Sequence, residues 1–134
     1  KTHYGPVEMV DFYRTLGELC GLEVPGTVSG LSLAAALRDP DVRIRKSALT
    51  QYSNGYSLRT DRYRYTEWGQ DGAGGAELYD RTKDPGEMVN LAGTIAVKAT
   101  QAELSKMLRQ RVALALEKPK GLMQVRFSNR RRVR

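Results

Sequence analysis

The sequence predicts an α+β domain: a small antiparallel sheet of about four strands with a C-terminal helix packed across one face. Three observations carry this. An amphipathic stripe opens the chain, short strands rich in aromatic and β-branched residues fill the middle, and a second amphipathic stretch follows. At 134 residues there is room for one core and not comfortably for two.

Gly5-Pro6 opens a helix over residues 6–20, with Pro at the first helical position, where its missing N–H costs nothing. Met9, Phe12, Tyr13, Leu16, Leu19 and Cys20 form one apolar stripe, and Glu8, Asp11, Arg14 and Glu18 take the other side. Gly21 and Pro25-Gly26 end the helix. Leu31–Leu37 reads as a short buried helical turn. Asp39-Pro40 stops it, because the residue before proline avoids the helical region.

Ala48–Tyr52 reads as a strand and Ser53-Asn54-Gly55 as a turn. Tyr56–Arg59 and Arg62–Trp68 are the next two strands, joined by Thr60-Asp61, the length of a two-residue hairpin loop. Gly69–Gly75 is a polar glycine-rich loop and Glu77–Asp80 a fourth strand. The last helix covers 97–117, with its core stripe on Leu104, Met107, Leu108, Val112 and Ala115. Thr100–Glu103 fits a capping box, which would start the helix at Thr100.

The net charge of +7 divides unevenly. Lys118–Arg134 holds seven basic residues and no acid, which leaves residues 1–117 with 15 of each sign. A domain built to bind nucleic acid would carry its basic excess on the folded body, so this balance argues against one. A segment of like charges cannot easily offset its ordering entropy, so Ser128–Arg134 is expected to be mobile, with strand docking of Gln124–Phe127 as the competing reading. The longest nearly apolar run, Leu31–Leu37, is too short to span a membrane as a helix. One cysteine excludes an internal disulfide framework, and one histidine excludes a two-His metal site. The chain begins at Lys1 with no signal-peptide pattern and reads as a processed product or an excerpt of something longer.

Several motifs in fixed order carry a family likeness. Gln51-Tyr52, then Gly55–Trp68, then Glu77-Leu78-Tyr79-Asp80 with Asp84-Pro85-Gly86-Glu87 and Asn90-Leu91-Ala92, resemble the C-terminal subdomain of sulfatases, most closely the iduronate-2-sulfatase group. Val7–Leu16 and Gly21–Pro25 resemble the helix that closes the family's alkaline-phosphatase-like catalytic domain. The chain has Arg14, Ser29 and Ala35 where the family usually has Pro, Asp and Pro, and only Ser53-Asn54 where the iduronate enzymes carry a much longer loop. The resemblance implies three regions: the end of the catalytic domain at 1–46, the C-terminal subdomain at 47–117, and a basic tail at 118–134. It also implies a sulfuric ester hydrolase acting on a sulfated carbohydrate, with a formylglycine nucleophile and a calcium ion in an N-terminal catalytic domain outside this chain. Sulfatases are often exported.

No catalytic residue or metal ligand is assigned to this chain. Cys20 is followed by Gly21-Leu22-Glu23-Val24, which does not match the formylglycine motif, and reads as a buried structural thiol. His3 has no catalytic partner in the pattern. Arg59, Arg62 and Arg64 are the candidate substrate-binding residues, as an anion-binding surface for a sulfated sugar. Strand alternation puts Arg62 and Arg64 on one face. The plainer reading is a solvated or salt-bridged sheet face. Tyr52, Tyr56, Tyr63, Tyr65 and Trp68 fit sugar stacking or, more plainly, cross-strand packing. Two partners are expected: the missing catalytic domain, and a second copy through residues 6–20. The alternative reading is a stand-alone interaction module that binds polyanions through its basic tail.

Overall fold

The computed structural model describes residues 1–117. The basic segment 118–134, with the expectations of mobility and strand docking placed on it, lies outside the described residues.

β1 (Ala48–Tyr52), β2 (Gly55–Arg59), β3 (Tyr63–Trp68) and β4 (Ala76–Asp80) pair antiparallel in chain order. Every pairing is therefore local. Side chains alternate between two faces. On one face Leu58, Tyr65 and Leu78 stand opposite one another and are buried. Leu104 and Leu108 of α3 (Lys98–Leu116), one helical turn apart, pack onto them. Each buried leucine in this cluster contributes roughly 1.5–3 kcal/mol. The predicted α+β fold is the observed one, and no described helix is long and apolar enough to cross a membrane.

Three local expectations shift. The β2–β3 loop is Thr60–Arg62, one residue longer than Thr60-Asp61. Thr60 closes this loop: its N–H donates to the Tyr63 carbonyl at 2.8 Å, and its hydroxyl accepts the Tyr63 N–H at 2.9 Å. Arg62 thereby leaves the strand. α3 starts at Lys98, behind a 3₁₀ turn at Ile95–Val97, and no side chain caps it. Thr100 thus lies inside the first turn, and the Thr100–Glu103 capping box does not form. The first helix, α1, spans Asp11–Leu19 rather than 6–20. A turn precedes it, in which the Asp11 N–H donates to the Glu8 carbonyl at 3.0 Å and the Glu8 N–H donates to the Asp11 carboxylate at 2.8 Å.

The larger correction is which side of α1 is buried. Asp11, Thr15 and Gly17 face inward. The apolar stripe faces out, with Met9 78% and Leu16 61% exposed. Cys20 is exposed too, against the expected buried thiol. α2 (Ala34–Arg38) packs beside α1 through buried Ala34 and Ala36. The Thr15 hydroxyl holds the approach to it by accepting the Leu33 N–H at 2.9 Å.

Gly30 is the tightest point of the connector. Its φ is +96°, and a Cβ there would lie 2.3 Å from the Val10 carbonyl oxygen. Gly30→Ala is expected to cost about 1–3 kcal/mol through left-handed strain and overpacking. Thermal unfolding should show a midpoint lowered by several degrees. Gly26→Ala, whose Cβ meets open space at an ordinary φ, should leave the midpoint in place.

Candidate functional site

Four polar clusters organise the described surface and interior. The first is centred on buried Asp11 and Arg45, with Arg111 at its partly exposed rim. Arg45, 5% exposed, bridges two carboxylates of the α1 region: its Nη1 lies 2.6 Å from Glu8 Oε2, and its Nη2 pairs with fully buried Asp11. Arg111 of α3 reaches Glu8 Oε1 at 2.6 Å. Backbone N–H groups complete the set, Leu49 donating to Glu8 at 2.7 Å and Leu31 to Asp11 at 2.9 Å. Two carboxylates and two guanidiniums make it neutral. Helical periodicity had placed Glu8 and Asp11 on the solvent side, and no local signal links them to Arg45 or Arg111.

The second cluster takes Arg62. Its Nη2 donates to Asp80 Oδ2 at 2.7 Å, and its guanidinium lies 4.8 Å over the Tyr63 ring. The Thr82 hydroxyl donates to the same carboxylate at 2.7 Å. Hydrogen bonds from Arg62 and Thr82 hold the Asp80 carboxyl well below the usual carboxylate range. Asp80 pairs with Tyr63, on the face that α3 covers. The expected placement of Arg62 with Arg64 on one face therefore fails, because the longer loop takes Arg62 out of β3 and toward Asp80.

The third cluster lies on the opposite face. Arg59 and Arg64 are direct cross-strand partners. Arg64 Nε and Arg81 Nε both lie 2.9 Å from the same oxygen, Glu87 Oε1. Two of the three candidate arginines thus converge, with Arg81, which the sequence reading missed. Its signal was the strand alternation that continues past Tyr79.

The fourth cluster surrounds Glu67, 7% exposed, whose carboxylate accepts from the Tyr65 hydroxyl at 2.9 Å and the Ser105 hydroxyl at 2.5 Å. Arg109 donates to its other oxygen at 3.3 Å. Burial and the Glu67 charge raise the Tyr65 phenol above its ordinary value. A cleft of roughly 560 Å³ opens beside it toward Lys98 and Gln101.

The candidate aromatics divide between the faces. Tyr56, Tyr63 and Tyr65 belong to the core under α3. Tyr52 is exposed, and Trp68 packs over Gly55 and donates its indole N–H to Glu77 at 2.9 Å. His3 is structural, its Nδ1 lying 2.7 Å from the Pro40 carbonyl.

A four-stranded meander under one C-terminal helix, preceded by a short helix and connector, is the arrangement the sequence pattern predicted. The family model for the C-terminal region of N-sulphoglucosamine sulphohydrolase matches residues 2–113. This chain belongs to the sulfatase family, as its C-terminal domain. A sulfatase from Formosa agariphila is 33% identical over 104 residues, covering 77% of this chain and 20% of its own length. A Δ4,5-hexuronate-2-O-sulfatase from Bacteroides thetaiotaomicron is 35% identical over 92 residues, covering 62% of this chain and 19% of its own. A solved 2-O GAG sulfatase superposes with a TM-score of 0.66 at 31% identity, covering 78% of this chain and 24% of that one. The sulfatase domain thus spans about a fifth of the curated relatives it matches.

Among the described residues no group of three or more His, Cys, Asp or Glu could hold a metal ion. Glu8 and Asp11, two acids bridged by one arginine, are already paired with Arg45 and Arg111. The described residues do not fit the calcium that the resemblance implies.

Removing one partner of a buried ion pair strands the other charge, at a cost of about 3–5 kcal/mol. Arg45→Met is therefore expected to lower stability by that amount in urea unfolding. A loss below about 1 kcal/mol, the scale of an exposed pair, would show that the network is open to solvent. Asp80 sets an acid dependence. Its folded pKa is depressed, so its contribution is present above the unfolded value of about 3.9 and is lost as pH falls through and below it. Between about pH 5 and pH 3 the thermal midpoint of the wild type should fall more steeply than that of Asp80→Asn. Parallel curves would remove Asp80 as the titrating group.

Proposed function

We propose that this domain serves a sulfuric ester hydrolase acting on a sulfated carbohydrate, and that α1 docks it onto the rest of that enzyme. The outward apolar face of α1 carries the reading. Phe12, Tyr13, Leu16 and Leu19 are roughly half exposed or more. A contiguous apolar helix face marks a surface made to be covered. Its polar side is anchored to the sheet and α3, so the stripe cannot turn inward without breaking the Glu8–Asp11–Arg45–Arg111 network.

The substrate class is supported by the relatives. One is named for 2-O-sulfate on a Δ4,5-hexuronate, and a structural neighbour at 26% identity was solved with its substrate D-glucosamine-2-N,6-O-disulfate. The iduronate-2-sulfatase likeness is supported only loosely by these names. Nucleophile and calcium belong, in this reading, to the catalytic domain that α1 meets. The alternative, a polyanion-binding module working through the basic tail, rests on residues outside those described.

The test is the encoding reading frame, with intact mass alongside. A Cys-x-Pro/Ala-x-Arg motif upstream in frame is expected, and the 134-residue chain alone should hydrolyse no chromogenic aryl sulfate. Turnover by this chain, freed of other sulfatases, would overturn the reading. Left in water, the α1 stripe should pair copies of the chain. Light scattering is expected to show association that rises with concentration and is abolished by Phe12→Asp. A strict monomer at all concentrations would count against docking through this face.

A further inference from the structure

We propose that Arg59, Arg64 and Arg81 form a binding site for a sulfate oxyanion on the sheet face turned away from α3. The register builds the site. Ala48, Arg59, Arg64 and Tyr79 stand in one cross-strand row, and Arg81 follows Tyr79 on the same face by alternation. Like charges placed directly opposite destabilise a sheet. This row holds such a pair, Arg59 against Arg64, with a third guanidinium beside them.

The protein supplies too little negative charge for these three. Glu87 alone is shared by Arg64 and Arg81 through one oxygen. Asp61, the next acid near Arg59, is paired with Arg43. Glu77 accepts from Trp68 and from the Tyr79 hydroxyl. Asp84 accepts the Met88 and Val89 N–H groups. Among the described residues no acceptor is hydrogen-bonded to the Arg59 guanidinium. Partial burial, reinforced by the positive fields of Arg81 and Arg64, pushes Arg59 below its ordinary value. An anion here would reverse that disadvantage.

The ligand chemistry follows from the donors. A guanidinium presents a planar fork of N–H groups that matches oxyanions. Guanidiniums from β2, β3 and the end of β4 approach from separate positions. A tetrahedral sulfate offers acceptors in several directions, where one carboxylate offers a single plane. Ala48 beside Arg59 leaves the edge of the row open. Arg62 is excluded, being held by Asp80. The proposal rests on the sulfatase reading for the choice of sulfate, and on the charge row alone for the existence of an anion site.

The experiment is an NMR titration of the ¹⁵N-labelled 134-residue chain with sodium sulfate against sodium chloride at matched ionic strength. Saturable shifts are expected at the backbone amides and Nε–H groups of Arg59, Arg64 and Arg81. Arg59→Gln and Arg81→Gln should each weaken binding on the order of tenfold, the scale of a lost charge-assisted hydrogen bond. Arg62→Gln, and a triple Gln replacement of Arg130, Arg131 and Arg132, should leave the affinity unchanged. A second arm uses glucosamine 6-sulfate. Tighter binding than inorganic sulfate makes the ligand a sugar half-ester, and equal or weaker binding makes it the free ion. Both outcomes support the site. Shifts that do not saturate, or an affinity indifferent to Arg59→Gln and Arg81→Gln in folded variants, would overturn it. No turnover is measured, so failure here leaves the sulfatase reading standing, and an absent upstream motif leaves the anion site standing.

Discussion

Everything on the N-terminal side of the sheet depends on one buried set of charges, in which Glu8 and Asp11 are held by Arg45 and Arg111. Its members come from the turn before α1, the first turn of α1, the segment ahead of β1, and α3. Burying ions costs several kcal/mol each, and mutual attraction offsets this only where the geometry is closed and the remaining valences are met. Here both carboxylates also take backbone N–H groups, from Leu49 and Leu31. The cluster is neutral, so no net charge is buried. It sets the rotation of α1 more than it adds stability, because a helix with Asp11 and Thr15 turned inward must turn its apolar stripe outward.

That rotation makes α1 an unusual amphipathic helix for a small domain. The ordinary arrangement buries the apolar face and solvates the charged one. In this domain the core is complete without α1, since Leu58, Tyr65, Leu78, Leu104 and Leu108 close on one another between sheet and α3. The stripe is left as a surface, and the ionic set supplies the orientation that burial would otherwise supply. This fits a domain spanning about a fifth of its relatives' length.

The sheet shows a second case of a small polar group setting a larger geometry. The Thr60 hydroxyl accepts the Tyr63 N–H and closes the loop between β2 and β3. The loop then takes in Arg62, which goes to Asp80 on the helix side. Arg59 and Arg64 remain opposite each other on the far face, joined there by Arg81. One threonine thus separates an arginine fully matched by carboxylate from a group that is under-matched.

The order of elements, the four strands, the C-terminal helix and the Leu104/Leu108 stripe were legible from the sequence, because each is set by contacts within a few residues or by a period along one segment. The family was legible for the same reason, as ordered local motifs from Gln51 to Ala92. The direction α1 faces was not. Its stripe predicted burial, and the deciding partners, Arg45 and Arg111, lie 34 residues from Asp11 and 103 from Glu8. Nor was the anion-facing row, which required the register of three strands and the common counter-ion Glu87, 23 residues from Arg64. Sequence pattern reports hydrophobic periodicity along a segment; it does not report which charges meet across segments, and in this domain those meetings decided both the outward helix face and the basic face of the sheet.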